Sequence, residues 1–306
     1  MTIKQPSFII VGAPKAGTTA LCVYLNRHPE IFIPPQKELN YFNKDIPANH
    51  KAKNIDEYLN FFAEGKEKVC GEKSPSYLRS KIAAQEIYAF NPDTKIIIML
   101  REPVALLHSF HSQLLLNGSS EDIQDFQLAL EAETDRRQGK RIPQHCSHKE
   151  KLFYRDVVKF TEQVERYFST FDREQVHIII FDDFQKDPAQ VYRKTLEFIG
   201  VDPTFQTEFP KKNANKKVRN TQLQYLLKYP PSKVLEMGKF FIPLPRSLRR
   251  SILQIIKNKL KKINIHKTER DAIDPEFKRK LKKEFAPDIE RLSALLGRDL
   301  THWTRD

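Results

Sequence analysis

The sequence predicts an α/β protein with a P-loop-like, doubly wound and mainly parallel sheet flanked by helices on both faces. Three observations carry that expectation. Short apolar runs recur between residues 8 and 181, as buried parallel strands require. Helical patterns separate them, so strand and helix alternate along the chain. The first run, Phe8-Ile9-Ile10-Val11, feeds the loop Gly12-Ala13-Pro14-Lys15-Ala16-Gly17-Thr18-Thr19, which opens a helix.

The other strands are expected at Glu30 to Ile33, Lys68 to Gly71, Lys95 to Leu100 and Val176 to Phe181. Thr18 to Arg27 reads as a helix that stops before His28-Pro29, because the residue preceding a proline is pushed out of the α region. Ile82 to Ala89 reads as a second helix. Phe153, Val157, Thr161, Val164 and Phe168 share one face and predict a single long helix. Phe277, Leu281, Phe285, Ile289, Leu292 and Leu296 predict a helix that closes the core. Residues 1–306 are expected to form one domain. Within it, residues 117–150 are polar, include Arg136-Arg137-Gln138-Gly139-Lys140-Arg141, and read as a lid or insertion or as a solvated loop.

The loop after the first strand carries the clearest chemistry. It has the frame G-x-x-x-x-G-K-[ST], but Thr18 occupies the lysine position and the only loop lysine is Lys15. Backbone amides at a helix N-terminus cradle phosphate, and a lysine in mid-loop lies beside one phosphate group. A nucleotide 5′-phosphate site is expected. A kinase or nucleotide triphosphatase is disfavoured, because the motif lysine is displaced and no magnesium-binding acid follows a strand.

The 306 residues carry a formal charge of +13, which favours an anionic partner: nucleotide, nucleic acid, acidic glycan or membrane surface. Cys22, Cys70 and Cys146 are too few and too scattered for a disulfide framework or a zinc site, so a reducing cytoplasm is expected. The first strand begins by residue 8, which leaves no room for a signal peptide, and no apolar run approaches membrane-spanning length. Oligomeric state is not read from the sequence.

A second anion site is expected where Lys95 to Leu100 ends. Arg101 follows that strand, Pro103 suits a first helical turn, and Ser109 lies two turns further in. A planar guanidinium and a hydroxyl can clamp phosphate. The bland alternative is an Arg101–Glu102 surface pair beside an ordinary helix serine.

Taken with Gly12-Ala-Pro-Lys15-Ala-Gly-Thr-Thr19, the pattern Leu100-Arg101-Glu-Pro…Ser109 resembles the 5′- and 3′-phosphate loops of sulfotransferases that use 3′-phosphoadenosine-5′-phosphosulfate (PAPS). The likeness is to the carbohydrate branch that includes heparan sulfate sulfotransferases and bacterial relatives. Lys37-Glu38-Leu39-Asn40-Tyr41-Phe42 and Glu72-Lys73-Ser74-Pro75-Ser76-Tyr77-Leu78 resemble motifs between those loops. Phe181-Asp182-Asp183-Phe184 and the ending Gly297 to Trp303 resemble bacterial members.

The resemblance implies roles. Lys15 would stabilise the departing 5′-phosphate oxygen, with Ala16, Gly17, Thr18 and Thr19 holding that phosphate. Arg101 and Ser109 would grip the 3′-phosphate. Glu38 would be the general base on the acceptor hydroxyl, and Lys73 would lie near the sulfuryl group. Lys217 and Arg219, in the basic segment Lys211 to Arg219, would close over the nucleotide, although a solvated basic loop is equally compatible. Glu72 is a second carboxylate beside a lysine, standing behind Glu38 as base or holding Lys73 in place. His108 and His111 read as half-buried helix histidines rather than bases. PAPS is the implied donor and PAP the product, with no metal. The implied acceptor is a hydroxyl on a glycan or glycolipid, or on a small molecule or carrier. The region 211–270 would lie on the acceptor side.

Arg246 to Lys267 holds eight Lys/Arg and no acid, interleaved with Leu248, Ile252, Leu253, Ile255, Ile256, Leu260 and Ile263. This basic amphipathic helix is expected to pack its apolar face inward; the alternatives are an anionic membrane surface or an acidic glycan. No nucleic-acid partner is expected, because the charge sits in two segments and not in a recognised DNA-binding module. A non-enzymatic glycan or nucleic-acid binder is the competing class.

Overall fold

The computed structural model describes residues 4–36, 38–46, 48, 52–66, 68–118, 120–210, 216–229, 246–268 and 270–305. Its described residues fall into two compact units: one within 1–109, 153–212 and 274–306, the other within 110–152 and 213–273.

The first unit is built on five strands: β1 (Phe8–Gly12), β2 (Ile31–Phe32), β3 (Val69–Lys73), β4 (Lys95–Leu100) and β5 (Val176–Ile180). Their order is β2-β3-β1-β4-β5 and every pairing is parallel. A parallel sheet between helices hides both faces, which is why β1 and β4 read as unbroken apolar runs rather than alternating ones. Phe8 to Val11 and Ile96 to Leu100 have no solvent exposure. Burying such aliphatic side chains contributes about 1.5–3 kcal/mol each. Gly71 pairs with Phe8, and a Cβ there would lie 2.0 Å from the Phe8 ring, so the close β1–β3 packing needs glycine.

Four helices follow these strands: α1 (Thr18–Leu25), α2 (Ile55–Asn60), α3 (Ala83–Phe90) and α4 (Pro103–Asn117). The expected strands and first helices stand within two residues of their places; β3 runs on to Lys73 and β5 stops at Ile180. Phe181 instead opens a helix, Phe181–Lys186.

The expected long helix over 153–168 is two pieces, Tyr154–Val157 and Phe160–Phe168. The break follows from tertiary capping. The Asp288 carboxylate accepts the Phe160 N–H at 3.1 Å, and the Asp288 carbonyl accepts the Thr161 hydroxyl at 2.8 Å, so a second N-terminus forms on another helix. That other helix, Pro275–Leu296, is the expected closing helix; Phe277, Leu281, Phe285, Ile289 and Leu292 are buried along it.

In the second unit, residues 117–150 are not a solvated loop. Helices Phe126–Glu131 and Glu133–Arg137 surround a buried ion pair in which Arg136 donates to both Glu121 oxygens at 2.6 and 2.7 Å. Both side chains are fully buried. The expected basic loop contains a strand, Lys216–Val218, paired antiparallel with Ile265–Lys267. Residues 211–215 lie outside the described residues. Helix Arg246–Asn264 forms as expected, but its apolar face is not packed inward where described: Ile255 and Ile263 are 64% and 63% exposed, and Ile256 and Leu260 are exposed as well.

Candidate functional site

The carboxyl ends of parallel strands all open on one edge of a sheet, and ligands bind there in such folds. In the first unit this edge gathers the segments that follow β1, β3, β4 and β5.

The loop after β1 is tied down by the Ala13 N–H, which donates to the Met99 carbonyl at 2.7 Å, and by Gly12. A Cβ on Gly12 would approach Leu78 Cβ to 2.5 Å and the Pro75 carbonyl to 3.1 Å. Gly17 caps α1 at φ 95°, in the left-handed region, and supplies no side-chain cap. First-turn amides have no intrahelical acceptor, so the N-terminus of α1 is suited to an anion. Thr18 is buried, Thr19 is exposed and Lys15 is half-buried. Two glycines where a Cβ would crowd its neighbours, a lysine and two hydroxyls fit a phosphate group.

Arg101 leaves β4 and turns toward this loop. Its guanidinium donates to the Lys15 carbonyl at 3.0 Å and lies 4.6 Å from the centroid of the Phe181 ring. Phe181 also packs on Gly17, where an added Cβ would meet the ring at 3.0 Å. Glu102 does not stay at the surface as a simple ion-pair partner; its carboxylate accepts the Val104 and Ala105 N–H groups at 2.9 and 2.6 Å and caps α4. Burial pushes its carboxyl pKa up. Ser109 is buried two turns into α4.

The third segment follows β3. Lys73 is 8% exposed and its ammonium lies 3.3 Å from Glu38 Oε1, while the Glu38 side chain is 49% exposed. A buried cation thus orients a carboxylate that solvent can reach. Glu72 points elsewhere. It is 1% exposed, and its oxygens accept from Tyr58 at 2.6 Å, Ser74 at 2.6 Å and Tyr77 at 2.8 Å. Burial raises its pKa, against the pull of those hydroxyls. With both oxygens occupied inside the protein, Glu72 is not placed to take a substrate proton.

A model of the sulfotransferase domain matches residues 5–283. The chain belongs to the sulfotransferase family. A bacterial sulfotransferase structure, from Alicyclobacillus acidocaldarius, superposes with a TM-score of 0.71 at 29% identity, covering 99% of this chain and all of that one. Among curated relatives, the membrane-associated sulfotransferase kil1 of Dictyostelium discoideum is 24% identical over 68% of this chain and 59% of its own length. Heparan sulfate glucosamine 3-O-sulfotransferase 5 of Mus musculus is 26% identical over 65% of this chain and 55% of its own. The human bifunctional heparan sulfate N-deacetylase/N-sulfotransferase 3 is 29% identical over 66% of this chain and 23% of its own. The chain therefore spans little more than half of the first of these relatives.

The first unit brings Lys15, Ala16, Gly17, Thr18, Thr19, Glu38, Lys73, Arg101 and Ser109 into one compact body. Lys217 and Arg219 belong to the other. The Lys217 side chain lies outside the described residues; Arg219 is exposed, and its backbone N–H donates to the Asn264 carbonyl at 2.8 Å. His111 is buried with its ring 2.9 Å from the Ile123 carbonyl, and burial lowers its pKa, as a structural histidine requires. Among the described residues no cluster of His, Cys, Asp or Glu could hold a metal ion.

Sequence reasoning missed Phe181, which read as the end of a strand, and gave no role to Ser74 and Tyr77. Their only sequence signal was membership of the Glu72 to Leu78 motif; their partners lie in a loop more than thirty residues earlier.

Proposed function

We propose that the protein transfers the sulfuryl group of PAPS to a hydroxyl, with Glu38 as general base. The observation that carries this reading is the Lys73–Glu38 pair on the same strand edge as the Lys15 loop. PAPS supplies an activated sulfuryl group on its 5′-phosphate. The α1 N-terminus, Thr18 and Thr19 hold that phosphate, and Arg101 with Ser109 holds the 3′-phosphate. Glu38 takes the proton of the acceptor hydroxyl as its oxygen bonds to sulfur. Lys15 neutralises the charge left on the 5′-phosphate oxygen as the old S–O bond breaks and PAP forms. Lys73 holds Glu38 in place and offsets negative charge near the sulfuryl group.

The names of the heparan sulfate relatives support a glycan acceptor; a glycolipid would present the same kind of sugar hydroxyl. Small or carrier-bound hydroxyls are the competing acceptors. The test is PAP release from PAPS with a heparan sulfate oligosaccharide and with a glycolipid, using Glu38→Gln. Turnover should fall by roughly 10²–10⁴-fold, with PAP binding retained. Wild-type turnover in that variant would sink the base assignment.

A cytoplasmic protein that meets an anionic membrane surface is the companion proposal. Free Cys22, Cys70 and Cys146 support a reducing compartment. The exposed Ile255, Ile256, Leu260 and Ile263, interleaved with lysines, support interfacial binding. Co-sedimentation with phosphatidylglycerol vesicles at low salt, and none with phosphatidylcholine, is the expected result.

A further inference from the structure

We propose that Glu72 is a positioning residue: through the hydroxyls of Ser74 and Tyr77, its buried carboxylate fixes the backbone of Asn40 to Phe42 and thereby the place of Glu38. This rests on the reading of Glu38 as the base.

The direction of each hydrogen bond makes the case. An ionised carboxylate only accepts, and a hydroxyl has one proton to give. Ser74 and Tyr77 give theirs to Glu72 Oε1, at 2.6 and 2.8 Å. Their oxygens must then face outward as acceptors, and they do: Ser74 Oγ accepts the Asn40 N–H at 3.0 Å, while the Tyr77 hydroxyl accepts the N–H groups of Tyr41 at 2.8 Å and Phe42 at 3.4 Å. Three consecutive amides are oriented from one buried anion.

Neighbouring contacts tighten the same loop. Ser76 donates to Asn40 Oδ1 at 2.6 Å, and Asn40 Nδ2 donates back to the Glu38 carbonyl at 3.1 Å. Glu38 and Asn40 both sit at φ 51°, a region asparagine tolerates but one uncommon for glutamate, so the strain falls on Glu38. Tyr58 supplies the internal contrast. Its hydroxyl donates to Glu72 Oε2 at 2.6 Å, and its part in the loop is its ring, stacked on Tyr41 at 4.7 Å. Tyr58→Phe keeps that ring, whereas Tyr77→Phe removes the acceptor for two loop amides.

The test compares Glu72→Gln, Ser74→Ala, Tyr77→Phe and Tyr58→Phe by hydrogen exchange and by turnover of PAPS with a heparan sulfate oligosaccharide. Exchange at residues 40–42 should quicken at least tenfold in the first three variants and stay near wild type in Tyr58→Phe. kcat should fall about 10- to 100-fold in the same three, with the KM for PAPS and PAP affinity unchanged, since small misplacement of a reacting group costs rates of that order. Unchanged exchange at 40–42 in Tyr77→Phe and Ser74→Ala would overturn the proposal, as would equal losses in Tyr58→Phe and Tyr77→Phe. Glu38→Gln serves as the separate control: turnover surviving there sinks the base assignment, while the exchange data still decide what Glu72 holds.

Discussion

The ammonium of Lys73 lies 3.3 Å from a Glu38 carboxylate oxygen across 35 residues of sequence. One partner is almost entirely buried and the other is half exposed. The buried lysine is fixed by the end of β3, so the carboxylate is the partner whose position is being set.

Lys73→Met should therefore lower kcat on the order of 10²-fold, the usual loss when one preorganised electrostatic donor is removed. Lys73→Arg should recover part of it, because the charge is kept but the point geometry is not. Steady-state kinetics with PAPS, alongside PAP titration calorimetry, checks this; a rise in KM for PAPS with kcat intact would make Lys73 a donor-binding residue instead.

Arg101→Ala should weaken PAP binding by about 10- to 150-fold, the equivalent of a lost charge-assisted hydrogen bond of roughly 1.5–3 kcal/mol. AMP binding should barely change, since AMP lacks the 3′-phosphate. Phe181→Leu should act in the same direction but by only a few-fold, because it removes a cation–π support of about 0.5–1 kcal/mol. Equal losses for PAP and AMP would mean that Arg101 serves the Lys15 loop through its carbonyl contact.

His177 sets an acid limit on stability. It lies on β5, stacked on Phe198 at 5.0 Å, with Nε2 buried and without a hydrogen-bond partner among the described residues. Burial, and then the charge of Lys194, push its pKa down to about 4 from the ordinary 6.5. The unfolded chain thus binds a proton that the folded chain refuses. Its contribution is complete above about pH 6.5 and is lost as pH falls toward 4, up to about 3 kcal/mol. Urea melts between pH 7 and 4 should show this slope, and His177→Phe should flatten it.

Arg136 and Glu121 make the second unit sensitive to single charge removal. Arg136→Met or Glu121→Leu alone strands a buried charge and should cost roughly 3–5 kcal/mol. The double variant should be clearly milder than the sum of the two. Denaturant midpoints of the three proteins decide it; additive losses would show that the two groups do not interact.

Strand positions were legible because strands buried on both faces must be apolar throughout, and β1 and β4 are. Lys15, Gly17, Thr18 and Arg101 were legible because each sits next to a strand end, where local sequence also fixes location. The network around Glu72 was not, since nothing near Ser74 or Tyr77 reveals a loop at 40–42. The same holds for Asp288, which splits an otherwise continuous helical pattern from 128 residues away. Arg136 read as part of a polar lid, insertion or solvated loop, and only its pairing with Glu121 explains its burial.

By itself, then, the sequence determined the alternating strand and helix order, the phosphate loop and the family likeness, because periodicity and short motifs are local properties. Tertiary structure alone decided which carboxylate faces outward. Glu38 and Glu72 each follow or precede a lysine in the sequence, yet three hydroxyls surround Glu72 while solvent reaches Glu38. Burial and hydrogen-bond direction depend on what the fold brings alongside, and no spacing within the chain encodes them.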